Sequence, residues 1–252
     1  MLLESGSHPS GASSKPEYSN AGATVQPARL ALGLRTKVLE RGVRIHERTQ
    51  VTRLHRDGGV ETRTGRVRAA AAVLAVNSAA AGFPGYRLRL AIASSHIVLT
   101  EPVPDVLEEL GWTGGEAIVD CRTLVHYMRT TKDDRIAFGW GGGTMGFDGR
   151  RQRRLEVDPR VVTRARESLV RFFPQLRDRA VTHAWGGPID VSPTHRPAIV
   201  GMRGLPAWAA FGYTGNGVAP AHLTTGRTAV VNAPALSMRR WRRGMVVFGR
   251  CR

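Results

Sequence analysis

The stretch Gly212-Tyr213-Thr214-Gly215-Asn216-Gly217-Val218 is a glycine turn between two apolar segments. Residues 206–211 before it are typical of a short buried strand, and residues 218–231 after it are typical of a packed helix. Glycines allow positive φ angles and close approach of a ligand, and a helix start presents free N–H groups and the positive end of its dipole. The pattern therefore favours a strand, turn and helix site for a planar or anionic group, although packing alone also produces such turns.

The composition is that of a globular protein with a sizeable core. Of the 252 residues, 42% are hydrophobic and 23% are charged. No apolar run approaches the ~18 residues that span a bilayer, and Glu4 interrupts the N-terminus where a secretory signal would be apolar, so we expect no membrane partner and a cytoplasmic protein. Cys121 and Cys251 lie far apart without a CxxC pattern, which argues against a disulfide framework and against structural zinc.

The net charge of +17 raises the question of a polyanionic partner. Only Lys15, Lys37 and Lys132 are lysines, so arginine supplies nearly all the positive charge, in a chain that is also rich in alanine and glycine. A GC-rich coding bias produces this pattern without selection for nucleic-acid binding. The arginines are scattered apart from clusters at 150–154 and 239–243, and we expect no specific nucleic-acid partner.

The first part of the chain has the elements of half a nucleotide-binding domain. Residues 1–22 are polar and without periodicity, and we expect them to be disordered. After them the patterns predict an amphipathic helix from Pro27 to Arg41 ended by Gly42, a strand at 43–46, a meander of short strands at 51–55, 60–62 and 67–68, and a buried apolar strand at 69–76. Such an order forms the second half of a dinucleotide-binding domain of the glutathione-reductase type.

The middle of the chain predicts a mostly antiparallel sheet with one long helix. The expected strands are 94–102, 117–120, 124–129, 135–140 and 182–185, with a hairpin turn at 132–134. Asp158 is the expected cap of a helix at 159–173, which Pro174 ends.

Residues 23–30, 40–47, 73–77 and 211–218 resemble FAD-dependent amine and amino-acid oxidases of the D-amino-acid-oxidase-like superfamily. The likeness is greatest to gamma-glutamylputrescine oxidase and glycine/sarcosine-oxidase-like members, and it covers about residues 23–231. It implies a mixed α/β (α+β) fold. The implied organisation is a disordered N-terminus at 1–22, an incomplete FAD-binding domain at 23–86 and 186–231, an antiparallel-sheet substrate domain at 87–185, and an unmatched basic tail at 232–252.

The same resemblance implies where FAD would lie. The strand near Val51 would lie over the adenine and ribose, and the strand that ends near Ala75 would pass close to the cofactor. The glycine turn and its helix would face the pyrimidine edge of the flavin, where N–H groups stabilise negative charge. The implied cofactor-binding residues are Val51, Ala75, Asn77, Gly212, Tyr213, Thr214, Gly215, Asn216, Gly217 and Val218.

Candidate substrate-binding residues lie on the strands of the middle region. Strand alternation places Tyr127 and Arg129 on one face, and the guanidinium of Arg129 could bind a carboxylate; His96 is a further candidate. The alternative is that Tyr127 belongs to the core and Arg129 is a solvated edge residue. A flavin often needs no protein acid or base, so no catalytic residue is assigned. No His, Asp and Glu spacing predicts a metal, and Ser94-Ser95-His96 lacks the glycine pattern of a hydrolase nucleophile.

A complete enzyme of this kind begins with a strand, a GxGxxG turn and a helix, which this sequence lacks. We therefore expect a truncated chain whose parallel sheet has an unpaired, aggregation-prone edge. Two functions remain: an FAD-dependent oxidoreductase acting on the C–N bond of a small amine or amino acid, or a catalytically inactive remnant whose Arg-rich tail binds polyanions weakly. The sequence leaves the substrate, the electron acceptor and the oligomeric state open.

Overall fold

The structure is a computed structural model that describes residues 24–83, 86, 89–120, 122–146, 155–222 and 245–248. The chain is divided into two compact units. One, which we call the inserted unit, contains Ala91–Ile189. The other, the split unit, combines Gln26–Leu90 with residues from Asp190 onward.

The helices are α1 (Pro27–Glu40), α2 (Pro104–Glu109) and α3 (Pro159–Phe172). The strands are β1 (Val51–Leu54), β2 (Val60–Thr62), β3 (Arg66–Val67), β4 (Ala71–Leu74), β5 (Ala91–Thr100), β6 (Ala117–Val119), β7 (His126–Thr130), β8 (Ile136–Trp140), β9 (Met145–Gly146), β10 (Val181–Val191), β11 (Ala198–Gly201), β12 (Ala207–Phe211) and β13 (Met245–Phe248). Short 3-10 turns occupy Asn77–Gly82 and Pro174–Leu176, and residues 218–222 are helical. The mixed α/β fold class predicted from the sequence is confirmed.

Helix α1 begins at Pro27, where the side chain of Gln26 accepts a hydrogen bond from the backbone N–H of Arg29 at 2.8 Å. The predicted helix is confirmed, but its apolar face is not buried: Leu30 is 42% exposed and Leu34 is 57% exposed. The strand predicted at 43–46 is wrong, since these residues have no regular structure. A strand needs a neighbour to hydrogen bond with, and among the described segments none pairs with this one.

Strands β1, β2 and β3 form the predicted antiparallel meander. The turn between β1 and β2 contains Gly58 with a φ of +84°. A Cβ atom there would lie 2.5 Å from the carbonyl oxygen of Ala69, so only glycine fits this close approach of two backbones.

The second sheet of the split unit has the strand order β11, β12, β4, β13. Strands β12 and β13 both run parallel to β4, and β11 runs antiparallel to β12. The predicted apolar strand is confirmed as β4, with Ala72 1% and Leu74 2% exposed. The expected unpaired edge of this strand is wrong, because β13 pairs with β4 along all four of its residues.

Strand β13 comes from the stretch 232–252 that we expected to be an unmatched tail. The other residues of that stretch lie outside the described residues, as do the N-terminal stretch up to residue 23, the continuation of the predicted helix at 223–231, and both cysteines.

The inserted unit is built on a sheet with the order β10, β5, β8, β7, β6, in which β9 also pairs with β5. Strands β5, β8, β7 and β6 pair antiparallel in turn, which confirms the predicted antiparallel sheet. Helix α3 covers one face of it. Its residues Ala165 and Leu169 pack in a core with Val98 and Phe138 of the sheet, all at most 2% exposed.

The predicted cap of α3 is also confirmed, since the side chain of Asp158 accepts a hydrogen bond from the N–H of Arg160 at 3.0 Å. In the part of the chain that the structure describes, no helix has both the length and the apolar character needed to cross a membrane.

Candidate functional site

The glycine turn follows β12 directly and leads into the helical residues 218–222. Gly212, Thr214 and Gly215 have positive φ angles of 81°, 52° and 85°. A Cβ atom on Gly212 would lie 2.9 Å from the Cβ of Ser192, so both the angle and the space require glycine there. The sequence suggested positive φ angles at the three glycines of the turn, but the structure has one at Thr214 and none at Gly217.

The buried carboxylate of Asp190 holds this turn in place. It accepts a hydrogen bond from the N–H of Gly212 at 2.5 Å, and the backbone carbonyl of Asp190 accepts one from the N–H of Thr214 at 2.9 Å. Asp190 is only 2% exposed. Burial raises the pKa of this carboxyl above its ordinary range, although the N–H of Gly212 works in the opposite direction.

Ser192 adds a second connection between β10 and the turn. Its N–H donates to the Oγ1 of Thr214 at 3.3 Å, and its hydroxyl donates to the carbonyl of Arg196 at 2.9 Å. The sequence reading missed both Asp190 and Ser192. The sequence did contain a signal for Asp190, since it is a single aspartate among small and apolar residues. A carboxylate that is buried in such a segment needs a hydrogen-bond donor.

The end of β4 lies at the same edge of the sheet as the glycine turn. Leu74 of β4 is paired with Ala209 of β12 in a parallel register, and Asn77 and Gly212 each follow three residues later. The carboxyl ends of parallel strands share one sheet edge, so the structure brings Ala75 and Asn77 to the edge that carries the turn.

Asn77 has a φ of +49° and opens the 3-10 turn after β4. Val51 is in a different sheet, where it begins β1 of the meander.

This edge has the features that a flavin ring needs from the split unit. The turn has three residues in the left-handed region, its backbone is fixed from beneath by Asp190, and it opens a helix whose first N–H groups have no carbonyl partner within that helix. Such N–H groups suit a planar ligand that carries negative charge on one edge. The residues present therefore fit the pyrimidine end of FAD.

The inserted unit contains one GxGxxG spacing, but it is not a turn that binds the phosphates of a dinucleotide. Gly141, Gly143 and Gly146 have the spacing GxGxxG, but Gly146 lies in β9, whereas a phosphate-binding turn opens a helix at that point. A Cβ atom on Gly143 would lie 2.3 Å from the carbonyl oxygen of Ser94, so this glycine serves close strand packing.

Tyr127 and Arg129 share the face of the sheet opposite to α3. The ring of Tyr127 lies across Gly139, where a Cβ atom would come within 2.1 Å of it, and its hydroxyl is 2.8 Å from the Oγ of Ser95. Burial raises the pKa of Tyr127, and the hydrogen bond to Ser95 opposes that shift. Arg129 is half-buried and, among the described residues, its guanidinium has no carboxylate partner; one N–H donates to the carbonyl of Thr130 at 3.4 Å.

His96 lies on the other face of the sheet, where α3 begins. It is fully buried, and its Nε2 accepts a hydrogen bond from the N–H of Asp158 at 3.1 Å. The neutral ring therefore carries its proton on Nδ1, which has no hydrogen-bond partner among the described residues. Burial lowers the pKa of His96, and the charge of Asp158 opposes that shift. The structure thus brings Tyr127 and Arg129 together and places the sheet between them and His96.

Comparison with known proteins identifies the family of the chain. The family of FAD dependent oxidoreductases (DAO) matches residues 16–230. The probable oxidoreductase OrdL of Rhizobium meliloti (strain 1021) is 26% identical over an alignment of 209 residues, and the match covers 77% of this chain and 44% of that protein. Gamma-glutamylputrescine oxidoreductase of Escherichia coli (strain K12) is 25% identical over an alignment of 208 residues, and the match covers 81% of this chain and 46% of that protein.

The crystal structure of glycine oxidase from Geobacillus kaustophilus superimposes with a TM-score of 0.64 at 17% identity, over 84% of this chain and 55% of that one. The chain spans less than half the length of the two curated relatives. With a family match over most of its residues and the fold of a glycine oxidase, the chain belongs to the FAD-dependent oxidoreductases of the DAO family.

Proposed function

We propose that this protein oxidises the C–N bond of a small amine or amino acid, with FAD as the hydride acceptor. The observation that carries the proposal is the glycine turn at 212–218, fixed by the buried carboxylate of Asp190. Family membership supports the cofactor, and the names of two similar proteins, a gamma-glutamylputrescine oxidoreductase and a glycine oxidase, support the substrate class.

The split unit would be the FAD-binding domain. The turn, with Ala75 and Asn77 at the same sheet edge, would hold the flavin ring, and the meander that begins at Val51 would lie towards the adenine. The flavin supplies the chemistry, since it accepts the hydride from the carbon next to nitrogen. The chain's own contribution is positional and electrostatic: N–H groups at the start of the helix stabilise negative charge on the pyrimidine edge.

The inserted unit would be the substrate domain, with the face that carries Tyr127 and Arg129 as its binding face. A half-buried guanidinium without a carboxylate partner in the described residues can bind a substrate carboxylate with two parallel hydrogen bonds. The hydroxyl of Tyr127, held by Ser95, would orient the bound molecule and keep water from it. His96 would act from the opposite face, by fixing the start of α3, and not by touching substrate.

Flavin retention tests the cofactor part of the proposal. The purified protein is mixed with excess FAD, passed through gel filtration, and examined for the visible flavin band in the protein fraction. Gly215→Ala should lower the retained flavin, because φ is +85° at that residue. Gly204→Ala is the matched control: it has a φ of +74° in the split unit, between β11 and β12, with open space around its Cβ position.

Retained flavin in the wild type and in Gly204→Ala, with loss in Gly215→Ala, is the expected result. A folded wild-type protein that retains no flavin would instead support the alternative of a catalytically inactive relative.

Bleaching of the retained flavin by added substrate tests the reaction. Under anaerobic conditions an amino acid such as glycine or sarcosine should bleach the band. Arg129→Met should slow bleaching by amino acids about tenfold or more, while an amine without a carboxylate reacts at an unchanged rate. Equal slowing of both substrate types would contradict a carboxylate-binding role for Arg129.

A further inference from the structure

A cleft on the α3 side of the inserted unit is lined by arginine side chains. It has a volume of about 550 Å³, within the range of about 300–1,000 Å³ found for small-molecule sites. Arg164 and Arg171 line it from α3, Arg122 lines it from the loop before β7, and Trp140 forms part of its apolar wall. Arg164 and Arg171 are seven residues apart, so they lie on one side of the helix, two turns from each other.

The cleft also contains a buried histidine with an unsatisfied nitrogen. His126, which lines the cleft, is 4% exposed. Its Nδ1 is 2.7 Å from the carboxylate of Asp120, whose other oxygen accepts the backbone N–H of His126 at 2.8 Å. Because a carboxylate accepts, Nδ1 carries a proton.

The other ring nitrogen of His126, Nε2, is buried and has no hydrogen-bond partner among the described residues. Leaving a buried polar atom unpaired is unfavourable, so native proteins seldom keep one without a reason. A bound group beside this nitrogen would satisfy it. With Nδ1 protonated, Nε2 of the neutral ring is an acceptor, so the group that would satisfy it carries an O–H or N–H donor.

The lining of the cleft also carries an excess of positive charge. Three guanidinium groups line it, and Glu167 is the only acidic residue among the described residues of its lining. Arg122 has a partial ion pair, with Nε 3.4 Å from Asp120, and its guanidinium lies 5.6 Å from the centre of the Phe172 ring. Neither Arg164 nor Arg171 forms a salt bridge with a residue that the structure describes.

We propose that this cleft binds a small polyanion, a molecule with two or more phosphate or carboxylate groups. Arginine pairs with both groups through two parallel hydrogen bonds, and the three arginines surround a cleft large enough for such a molecule. His126 is paired with Trp140 across β7 and β8, so both lie on the sheet face opposite to Tyr127 and Arg129. The site is therefore distinct from the proposed substrate face, and the proposal does not depend on the protein's being an oxidase.

Isothermal titration calorimetry with inorganic pyrophosphate and with citrate tests the site, in buffers of equal ionic strength. The double variant Arg164→Gln/Arg171→Gln should weaken binding of the preferred anion by about a hundredfold, about tenfold for each lost charge-assisted contact. Arg166→Gln is the control on the same helix: Arg166 is exposed, does not line the cleft, and should change binding less than about twofold.

Tighter binding of pyrophosphate would assign the site to phosphates, and tighter binding of citrate would assign it to carboxylates; both outcomes support the proposal. Circular dichroism of each variant checks that the fold is kept. The proposal is overturned if neither anion binds the wild type, or if Arg166→Gln weakens binding by about tenfold, the effect expected for loss of one cleft arginine, since net charge alone would then explain the effect.

Discussion

Replacing Asp190 should separate the two roles of its carboxylate, as hydrogen-bond acceptor and as buried charge. Asp190→Ala removes the acceptor for the N–H of Gly212, which lies 2.5 Å from the carboxylate in a site that is 2% exposed. Asp190→Asn keeps an oxygen acceptor of the same size in the same place and removes the charge.

The expected magnitude follows from what each change leaves behind. An unpaired buried N–H costs about 1–3 kcal/mol, and hydrogen bonds to charged groups contribute about 1.5–3 kcal/mol. We therefore expect Asp190→Ala to lower the free energy of unfolding by about 2–3 kcal/mol, which changes the folding equilibrium constant roughly 30- to 140-fold. Asp190→Asn should stay within about 1 kcal/mol of the wild type at neutral pH.

The difference between Asn and Asp should also depend on pH. Burial raises the folded-state pKa of Asp190 above its unfolded value. The protonated carboxyl therefore contributes stability that is full below the unfolded pKa and is lost as pH rises through the folded pKa. Asp190→Asn has no such group, so its stability relative to the wild type should improve as pH is raised from about 4 to 7.

Urea unfolding followed by circular dichroism, at several pH values, measures both effects. If Asp190→Ala unfolds at the same urea concentration as the wild type, the carboxylate does not hold the turn. A constant difference between Asp190→Asn and the wild type at every pH would show that the buried charge has no cost, and would refute the argument from burial.

Two substitutions and one titration test the inserted unit. Gly139→Ala places a Cβ atom 2.1 Å from the ring of Tyr127 and should cost about 1–3 kcal/mol in urea unfolding, whereas an unchanged midpoint would mean that the ring is free to move. Leu169→Ala removes a side chain that is 2% exposed and should cost about 2–5 kcal/mol by the same measurement; a loss below 1 kcal/mol would contradict the packing of α3 on the sheet. Burial lowers the folded-state pKa of His96, so its stabilising contribution is present above the unfolded pKa and is lost as pH falls through the folded pKa. NMR titration of the His96 ring should therefore give a midpoint below about 6.5, and a midpoint above that value would rule out the buried neutral ring.

Local patterns in the sequence predicted most of the regular elements. Helix α3 has a capping aspartate and an apolar face, and β7 and β8 alternate about a short turn, so each can be recognised within a few residues of itself. Helix α1 shows the limit of this success. Its periodicity predicts a helix correctly, but periodicity does not reveal whether anything covers the apolar face, and Leu34 is 57% exposed.

The elements that were missed or misplaced depend on distant partners. Strand β9 has two residues and exists only because β5 lies beside it, and the failed strand at 43–46 has the right residues but no described neighbour. Strand β13 pairs with a strand more than 150 residues earlier in the chain. Pairing over such separations leaves no periodic signal near the residues concerned.

The residues of the candidate site show the same difference between local patterns and distant partners. Alternation along one strand was enough to place Tyr127 and Arg129 on a common face. It could not place His96, because the faces of two strands are related only through their register: His96 pairs with Trp140, which pairs with His126. Asp190 was missed for a similar reason, since its partner Gly212 is 22 residues away.

The interruption of the split unit by the inserted unit has a consequence during synthesis. Strand β4 leaves the ribosome before its partner β12, which follows about 130 residues later, after the whole inserted unit. The contacts within Ala91–Ile189 can form before β12 has emerged, whereas the apolar β4 must wait for both β12 and β13. Chaperones that shield exposed strands would therefore act on the nascent chain mainly in this interval, and substitutions that slow translation between β4 and β12 would lengthen it.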